Sequence, residues 1–180
     1  MLERIINNKR REVEERKKKL PLEILRRRIS DLSSRNFKKA ISSMGKINII
    51  AEIKRSSPSA GIILRDFDPS GVAKTYQENG ASAISVLIDE KFFGGSLSDL
   101  AKVRKATSLP VLAKEFILDE YQIYEAKLLG ADAILLIACI LDKRRLSEFL
   151  NLTLRLNLDC VVEIHKEEEI DKIRDLPFDV

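Results

Sequence analysis

The sequence predicts an α/β protein built on a parallel sheet, of repeated βα units that fit either a doubly wound sheet or a (β/α)8 TIM barrel. Three observations predict it. Short β-rich apolar runs at 47–54 (INIIAEIK), 83–88, 111–116, 133–140 and 160–165 alternate with segments of helical period. Strands separated by helices imply parallel neighbours, because a parallel pair needs a long crossover. The first halves of these runs mostly lack polar alternation, Asn48 and Ser85 excepted, as when both faces of a sheet are covered. Finally, Gly80-Ala81-Ser82-Ala83-Ile84 is echoed by Gly130-Ala131-Asp132-Ala133-Ile134. In each, a helix stops at glycine and a small-residue turn feeds a buried strand.

In chain order, Leu2, Ile5, Ile6 and Val13 recur at helical spacing among charges, which predicts an amphipathic helix over roughly 3–18. Pro21 ends or restarts it, and Leu22, Ile24, Leu25 and Ile29 predict a second short helix. A turn at Asp31 to Ser34 and a third helical segment around Phe37, Ala40 and Ile41 complete a helical extension, residues 1–46. The barrel part, 47–180, then carries helical segments at 69–76, 97–106, 119–129, 142–155 and 166–174. A sixth strand starts at Phe178-Asp179-Val180. A barrel typically takes about 250 residues. The expectation is therefore a (β/α)8 barrel truncated after its fifth βα unit, the N-terminal part of a longer protein.

Composition bounds the function. With 44% hydrophobic and 33% charged residues among 180, the chain is globular. No apolar run approaches the roughly 20 residues of a membrane span, and MLERIINNKRREVEER lacks the apolar core of a signal peptide. A cytoplasmic location and no membrane partner are expected. Cys139 and Cys160 both sit in apolar runs and read as small buried hydrophobes of a reducing compartment. With one His and two Cys, no metal site with soft ligands is expected. Residues 1–46 hold 15 Lys/Arg against 6 Asp/Glu, a net +9, and the remainder 17 against 22, a net −5. A basic arm suggests nucleic acid, but this one has a single aromatic, Phe37, and no recognised motif. A solvated helical face is the expected meaning, with no nucleic-acid partner.

The strand ends carry the chemistry. In IIAEIKRSSPSAG, Glu52 and Lys54 stand two apart, so both project from one face of a strand end into a polar loop. Lys114 closes the run Val111 to Lys114, with Phe116 on its face, and Glu163 ends Val161-Val162-Glu163. Ionised groups on apolar strands are costly singly and tolerated if they pair or work. Two lysines and two carboxylates at the C-terminal mouth of a barrel would shift one another's proton affinity and suit acid–base chemistry on an anionic substrate. The competing reading is a layer of ion pairs closing the barrel. Asp89 to Ser96 offers Phe92 and Phe93 before two glycines, either a mobile aromatic lid or outer-layer packing. His165 lies two residues after Glu163, hence on its face, but past the strand's expected end, and reads as a satisfied loop residue. Ser57 and Ser59 flank Pro58, able to reach a substrate oxygen or cap a helix.

The segments IIAEIKRSSPSAG, FDPSGVAKTYQENGASAISVLIDEKFFGGS, PVLAKEFILDEYQI, GADAILLIACIL and VVEIHKEEEI resemble those of the indole-3-glycerol phosphate synthase family, (β/α)8 enzymes of tryptophan biosynthesis. The resemblance implies a carboxy-lyase. It closes the ring of 1-(2-carboxyphenylamino)-1-deoxy-D-ribulose 5-phosphate with loss of carbon dioxide and water, and needs no cofactor. It places Lys114 on the general acid and Glu163 on a second acid–base glutamate. Lys54 falls on a lysine that contacts the substrate's anionic groups, and Glu52 on the carboxylate that orients the lysines. Ser57 falls on a substrate-contacting serine, and Phe93, Phe116, Leu135 and Ile137 on the apolar walls around the anthranilate ring. Ala113, Ile88 and Glu115 stand where the family commonly has arginine, threonine and aspartate. The family's phosphate-binding loops lie beyond Val180, so the 180-residue chain alone is expected to be inactive or nearly so. Its open edge is expected to promote association.

Three alternatives stay open. One is another phosphosugar barrel with Lys114 as a Schiff-base nucleophile. Another is a complete doubly wound binding module whose strand order reverses in the middle. The last is a nucleic-acid binder with steep salt dependence.

Overall fold

The computed structural model describes residues 1–29 and 32–178. The expected turn at Asp31–Ser34 begins outside the described residues, and the expected sixth strand at Phe178–Val180 falls largely outside them.

The extension forms three helices, α1 (Leu2–Lys19), α2 (Leu22–Arg28) and α3 (Phe37–Ile41). The main sheet comprises β1 (Ile50–Ile53), β4 (Ala83–Leu87), β5 (Val111–Lys114), β6 (Ala133–Ile137) and β7 (Asp159–Glu163). A two-residue ribbon, β2 (Ser56–Ser57) with β3 (Gly61–Ile62), folds out of the loop after β1. The connecting helices are α4 (Pro69–Glu78), α5 (Glu90–Phe93), α6 (Leu97–Ala106), α7 (Glu120–Leu128), α8 (Lys143–Arg155) and α9 (Glu168–Ile173). The sheet order is β1-β4-β5-β6-β7, every pair parallel. Strands follow chain order with no reversal, which overturns the doubly wound alternative. The fold is a partial (β/α)8 barrel.

Alternation gives the sheet two faces. Ile53, Ile84, Val86, Val111, Ala113, Ile134, Leu136 and Cys160 pack under the helices as the main core. On the other face, Ala83, Leu112 and Ala133 surround Phe37 of α3, which is fully buried. So α3 plugs the N-terminal end of the concave face. Asp132 fixes it there: the carboxylate accepts from Arg35 N at 2.6 Å and Val111 N at 2.9 Å, and pairs with Arg104 at 2.9 Å. The glycine echo has a structural counterpart. Gly80 (φ 86) and Gly130 (φ 90) end α4 and α7 in the left-handed region. Two residues on, Ser82 N donates to Ile49 O and Asp132 N to Val111 O, each at 2.8 Å, opening the next strand pairing.

Some readings shift. The first strand begins at Ile50, not Ile47, and Ile47 and Ile49 are exposed, because among the described residues β1 is an edge strand with β4 as its one sheet neighbour. In α1 the buried stripe is Ile5, Asn8, Lys9 and Val13, while Ile6 is only half-buried. The loop after β4 holds the helical turn α5, capped by Asp89 Oδ1, which accepts from Phe92 N at 2.8 Å. Cys160 is buried but Cys139 is exposed, since the chain leaves β6 in a 3-10 turn, Ala138–Ile140.

The basic extension is not wholly a solvated face. Helix α7 is buried on nearly every side, Tyr121 to Lys127, because α1 and α2 pack over it. The contact is apolar at its centre, where Val13 and Leu25 join Tyr121, Ile123 and Tyr124 in the core, and charged around it. Arg16 pairs with Glu125 (3.4 Å), Lys17 with Asp119 (2.7 Å) and Arg26 with Glu120 (3.1 Å). Cations of the first 46 residues thus answer carboxylates of the rest.

Candidate active site

The C-terminal ends of the parallel strands bring Glu52, Lys54 and Lys114 together. Glu52 lies on β1 opposite Ser85 of β4, which lies opposite Leu112 of β5, so Glu52, Leu112 and Lys114 share the concave face. Glu52 Oε1 accepts from Lys54 Nζ at 2.9 Å and Oε2 from Lys114 Nζ at 2.7 Å. All three side chains are about one-third exposed, open to solvent at the rim. Partial burial pushes the Glu52 carboxyl up, but hydrogen bonds from Lys114 and Lys54, and their charges, outweigh it. The carboxyl is held below the usual carboxylate range. Tyr76 of α4 donates to Glu52 O at 3.2 Å and steadies β1 from behind.

The apolar candidates fall beside this cluster. Leu135 and Ile137 alternate with Ala133 on β6 and are buried on the face shared with Leu112 and Lys114. Phe93, from α5, and Phe116, two residues past β5's last residue Lys114, stack with ring centroids 6.1 Å apart and planes tilted by 32°. Gly95 lets α5 dock on β4: a Cβ there would stand 2.1 Å from Leu87 O. Phe116 is held at both backbone ends, its N–H by Glu115 Oε1 (2.8 Å) and its C=O by Gln122 Nε2 (2.9 Å).

Glu163 is on the concave face at the end of β7, in register with Ile137. Among the described residues its ion-pair partner is His165, whose Nε2 lies 2.8 Å from Glu163 Oε1. It does not join the Glu52 cluster. The histidine read as a bystander is thus its direct neighbour, because two residues apart on an extended chain they face the same way. Ser57 is engaged by its own turn: its Oγ accepts from Ala60 N at 3.1 Å and lies 3.3 Å from Ser59 Oγ. Among the described residues no group of three or more His, Cys, Asp or Glu side chains is placed to hold a metal ion, and no helix is long and apolar enough to cross a membrane.

A second charged cluster, missed in the sequence, lies directly behind the site. Lys9 of α1 is 1% exposed and pairs with Glu12 (2.7 Å), Asp89 (2.9 Å) and Glu115 (2.9 Å). Burial lowers the lysine's proton affinity, but the charges of Glu115 and Asp89 and the hydrogen bonds of Glu12 and Asp89 reverse that and raise it. Burial, with the Asp89 charge added, pushes Glu115 up against the pull of Lys9. Both shifts reflect an excess of carboxylates over cations in a dry site. The sequence did carry a signal: Lys9 sits four residues from both Ile5 and Val13, on the buried stripe.

A family profile for indole-3-glycerol phosphate synthase matches residues 2–180. Relatives described as indole-3-glycerol phosphate synthase include one from Dehalococcoides mccartyi (strain CBDB1), 46% identical over 95% of this chain and 68% of its own length. Another, from Thermoanaerobacter pseudethanolicus, is 46% identical over 95% of this chain and 65% of its own. One from Microcystis aeruginosa is 45% identical over 96% of this chain and 59% of its own. The chain thus spans about two thirds of the length of these relatives. Among solved structures, a mandelate oxidase variant with (S)-mandelic acid superposes with a TM-score of 0.57 at 17% identity, over 82% of this chain and 51% of that one, a likeness of fold alone. Profile, relatives and the sequential parallel sheet agree: the chain belongs to the indole-3-glycerol phosphate synthase family, carboxy-lyases of tryptophan biosynthesis.

Proposed function

We propose that these residues carry the acid–base half of an indole-3-glycerol phosphate synthase site, acting on 1-(2-carboxyphenylamino)-1-deoxy-D-ribulose 5-phosphate. The observation that carries the reading is one carboxylate, Glu52, holding two ammonium groups, Lys54 and Lys114, at the C-terminal rim of the sheet. Lys114 is the general acid. As the aromatic ring carbon attacks the ribulose carbonyl carbon, the carbonyl oxygen takes a proton from Lys114 Nζ. Loss of carbon dioxide, then of that oxygen as water, leaves the indole ring. Lys54 faces the substrate's anionic groups, Glu52 orients both lysines, and Glu163 serves as the second acid–base group in ring closure and dehydration. Phe93, Phe116, Leu135 and Ile137 wall the anthranilate ring, exclude water and press the reacting carbons together. Ser57 contacts the substrate once its turn yields.

The Glu52 carboxylate 2.7 Å from Lys114 Nζ favours the ammonium form that a general acid needs over the neutral amine that a Schiff-base nucleophile needs. A borohydride-trapped adduct on Lys114 would reverse this assignment. Taken alone, the 180-residue chain turns over weakly in this reading, because the family resemblance puts the phosphate-binding loops outside these residues. Turnover with near-complete substrate affinity would refute that. The direct test is a chimera that appends the remaining third of the Dehalococcoides mccartyi relative. It should release indole-3-glycerol phosphate, and Lys114→Met should lower its kcat by about 10³-fold. Unchanged turnover in that variant would sink the reading.

A further inference from the structure

We infer that Lys9 is a positioning residue: it holds the Phe93–Phe116 pair in place through two carboxylates, Asp89 and Glu115, each of which also fixes a backbone N–H beside the pair. Each carboxylate turns one oxygen to the ammonium, Glu115 through a hydrogen bond and Asp89 as an ion pair, and the other to the backbone. Asp89 Oδ2 lies 2.9 Å from Lys9 Nζ, while Oδ1 accepts from Phe92 N at 2.8 Å and so starts the turn that presents Phe93. Glu115 Oε2 lies 2.9 Å from Lys9 Nζ, while Oε1 accepts from Phe116 N at 2.8 Å. Asp89 is 0% exposed and Glu115 5%, so neither has water to share the duty. One ammonium on α1 therefore sets which oxygen of each carboxylate faces the backbone. It ties together two loops that follow different strands. Asn8, next in the chain, adds a third tie by accepting from Lys91 Nζ at 3.1 Å, again on α5. Glu12 completes the cage around the ammonium.

A cation that merely docks α1 would leave the two aromatic turns unchanged once the chain is folded. A positioning cation links them to α1. What the aromatic pair binds rests on the reading under Proposed function; the coupling itself rests on geometry alone.

Native-state hydrogen exchange on the unaltered chain tests the coupling. The amides of Phe92 and Phe116 should exchange through the same opening as the amides of α1 around Val13. In Lys9→Met both should exchange at least tenfold faster, and the nuclear Overhauser contact between the two rings should weaken. The amide of Ser70, capped by Asp68 at the start of α4, should keep its rate. Independent exchange of Phe92 and Phe116 from α1 in the unaltered chain overturns the inference, and that measurement needs no variant to fold. Unchanged rates and ring contact in a folded Lys9→Met overturn it as well. Anthranilate serves as the binding probe, and its affinity should fall at least fivefold in Lys9→Met. If anthranilate fails to bind the unaltered chain while the exchange remains coupled, the positioning role stands and the aromatic-wall reading falls.

Discussion

Glu52 Oε2 touches Lys114 Nζ at 2.7 Å although the whole of β4 lies between their strands. Two strand spacings amount to about 10 Å in a flat sheet. Two long side chains close that gap on the inner face of a curling sheet, where their tips converge. The contact therefore reports curvature as well as charge.

Glu52→Gln should release both lysines. In the chimera it should lower kcat by about 10²-fold, with little change in thermal stability, because the pairs are partly exposed and such pairs contribute about 1 kcal/mol or less. The pH dependence gives a second readout. A carboxyl held below its ordinary range contributes stability above its unfolded pKa and loses it as pH falls through the folded value. Below about pH 4.5 the unaltered chain should lose stability faster than Glu52→Gln. Parallel acid-unfolding curves for the two would remove Glu52 as the organiser of the lysines.

Glu125 gives the opposite sign. Burial between α1 and α7 pushes its carboxyl up to about 7, against the pull of Arg16 and with the Glu115 charge adding to the rise. In the folded state it binds a proton that the unfolded chain, near 4.5, has already released. Stability should therefore fall as pH rises from about 4.5 to 7 and level off above. The span is on the order of 3 kcal/mol at most. Glu125→Gln should raise Tm at pH 8 and leave it nearly unchanged at pH 5. A variant less stable at pH 8 would show that the Arg16 contact outweighs the burial.

Asp132 is fully buried and serves three donors, Arg35 N, Val111 N and the Arg104 guanidinium. Asp132→Ala strands all three at the N-terminal end of the sheet. Removing one member of a buried charged network costs about 3–5 kcal/mol, and the denaturation midpoint should fall accordingly. Asp132→Asn keeps an oxygen for one N–H and should recover part of the loss. A cost below about 1 kcal/mol for the alanine variant would mean that α3 is held by Phe37, by the Arg35 guanidinium on Leu109 O and by Lys38 N on Asp159, and not by Asp132.

The main strands and helices are legible in the sequence because each obeys its own period, and because every connecting helix but α9 opens on an Asp or Ser cap and α4, α5 and α7 close on glycine. The Glu52–Lys54–Lys114 cluster is legible too, since charged side chains on apolar strand ends are tolerated only where they pair or work. Pairing across long separations is not. Lys9 and Glu115 are 106 residues apart, and nothing local marks either as the other's partner. The family resemblance reads Glu115 only as standing where aspartate is common, yet in the structure it is a residue that Lys9 of α1 grips. The His165–Glu163 pair is half legible: the spacing of two puts His165 on Glu163's face, and although it lies past the end of β7 its ring still meets the Glu163 carboxylate at 2.8 Å. The exposed start of β1 is missed because an apolar run shows the need for cover, not whether the cover is there.

Gly95 supplies the last test. A Cβ at this position would stand 2.1 Å from Leu87 O and 3.0 Å from Leu87 C, both backbone atoms that cannot rotate aside. Gly95→Ala must therefore push α5 off the end of β4, at about 3 kcal/mol or more of overpacking strain. Phe93 moves with that turn and Phe116 does not, because Phe116 is held separately by Glu115 and Gln122. The ring contact at 6.1 Å should open and anthranilate affinity should drop, while the Glu52–Lys114 pair, carried by β1 and β5 and not by the turn, keeps the Glu52 carboxyl below its ordinary range. Gly94→Ala makes the comparison. Its added methyl would meet the Ser56 hydroxyl at 2.8 Å, a side chain that can swing away, leaving only the cost of a φ of +66°, about 1–2 kcal/mol. Equal losses in the two variants would show that the turn's backbone conformation, and not its seat on Leu87, places the aromatic wall.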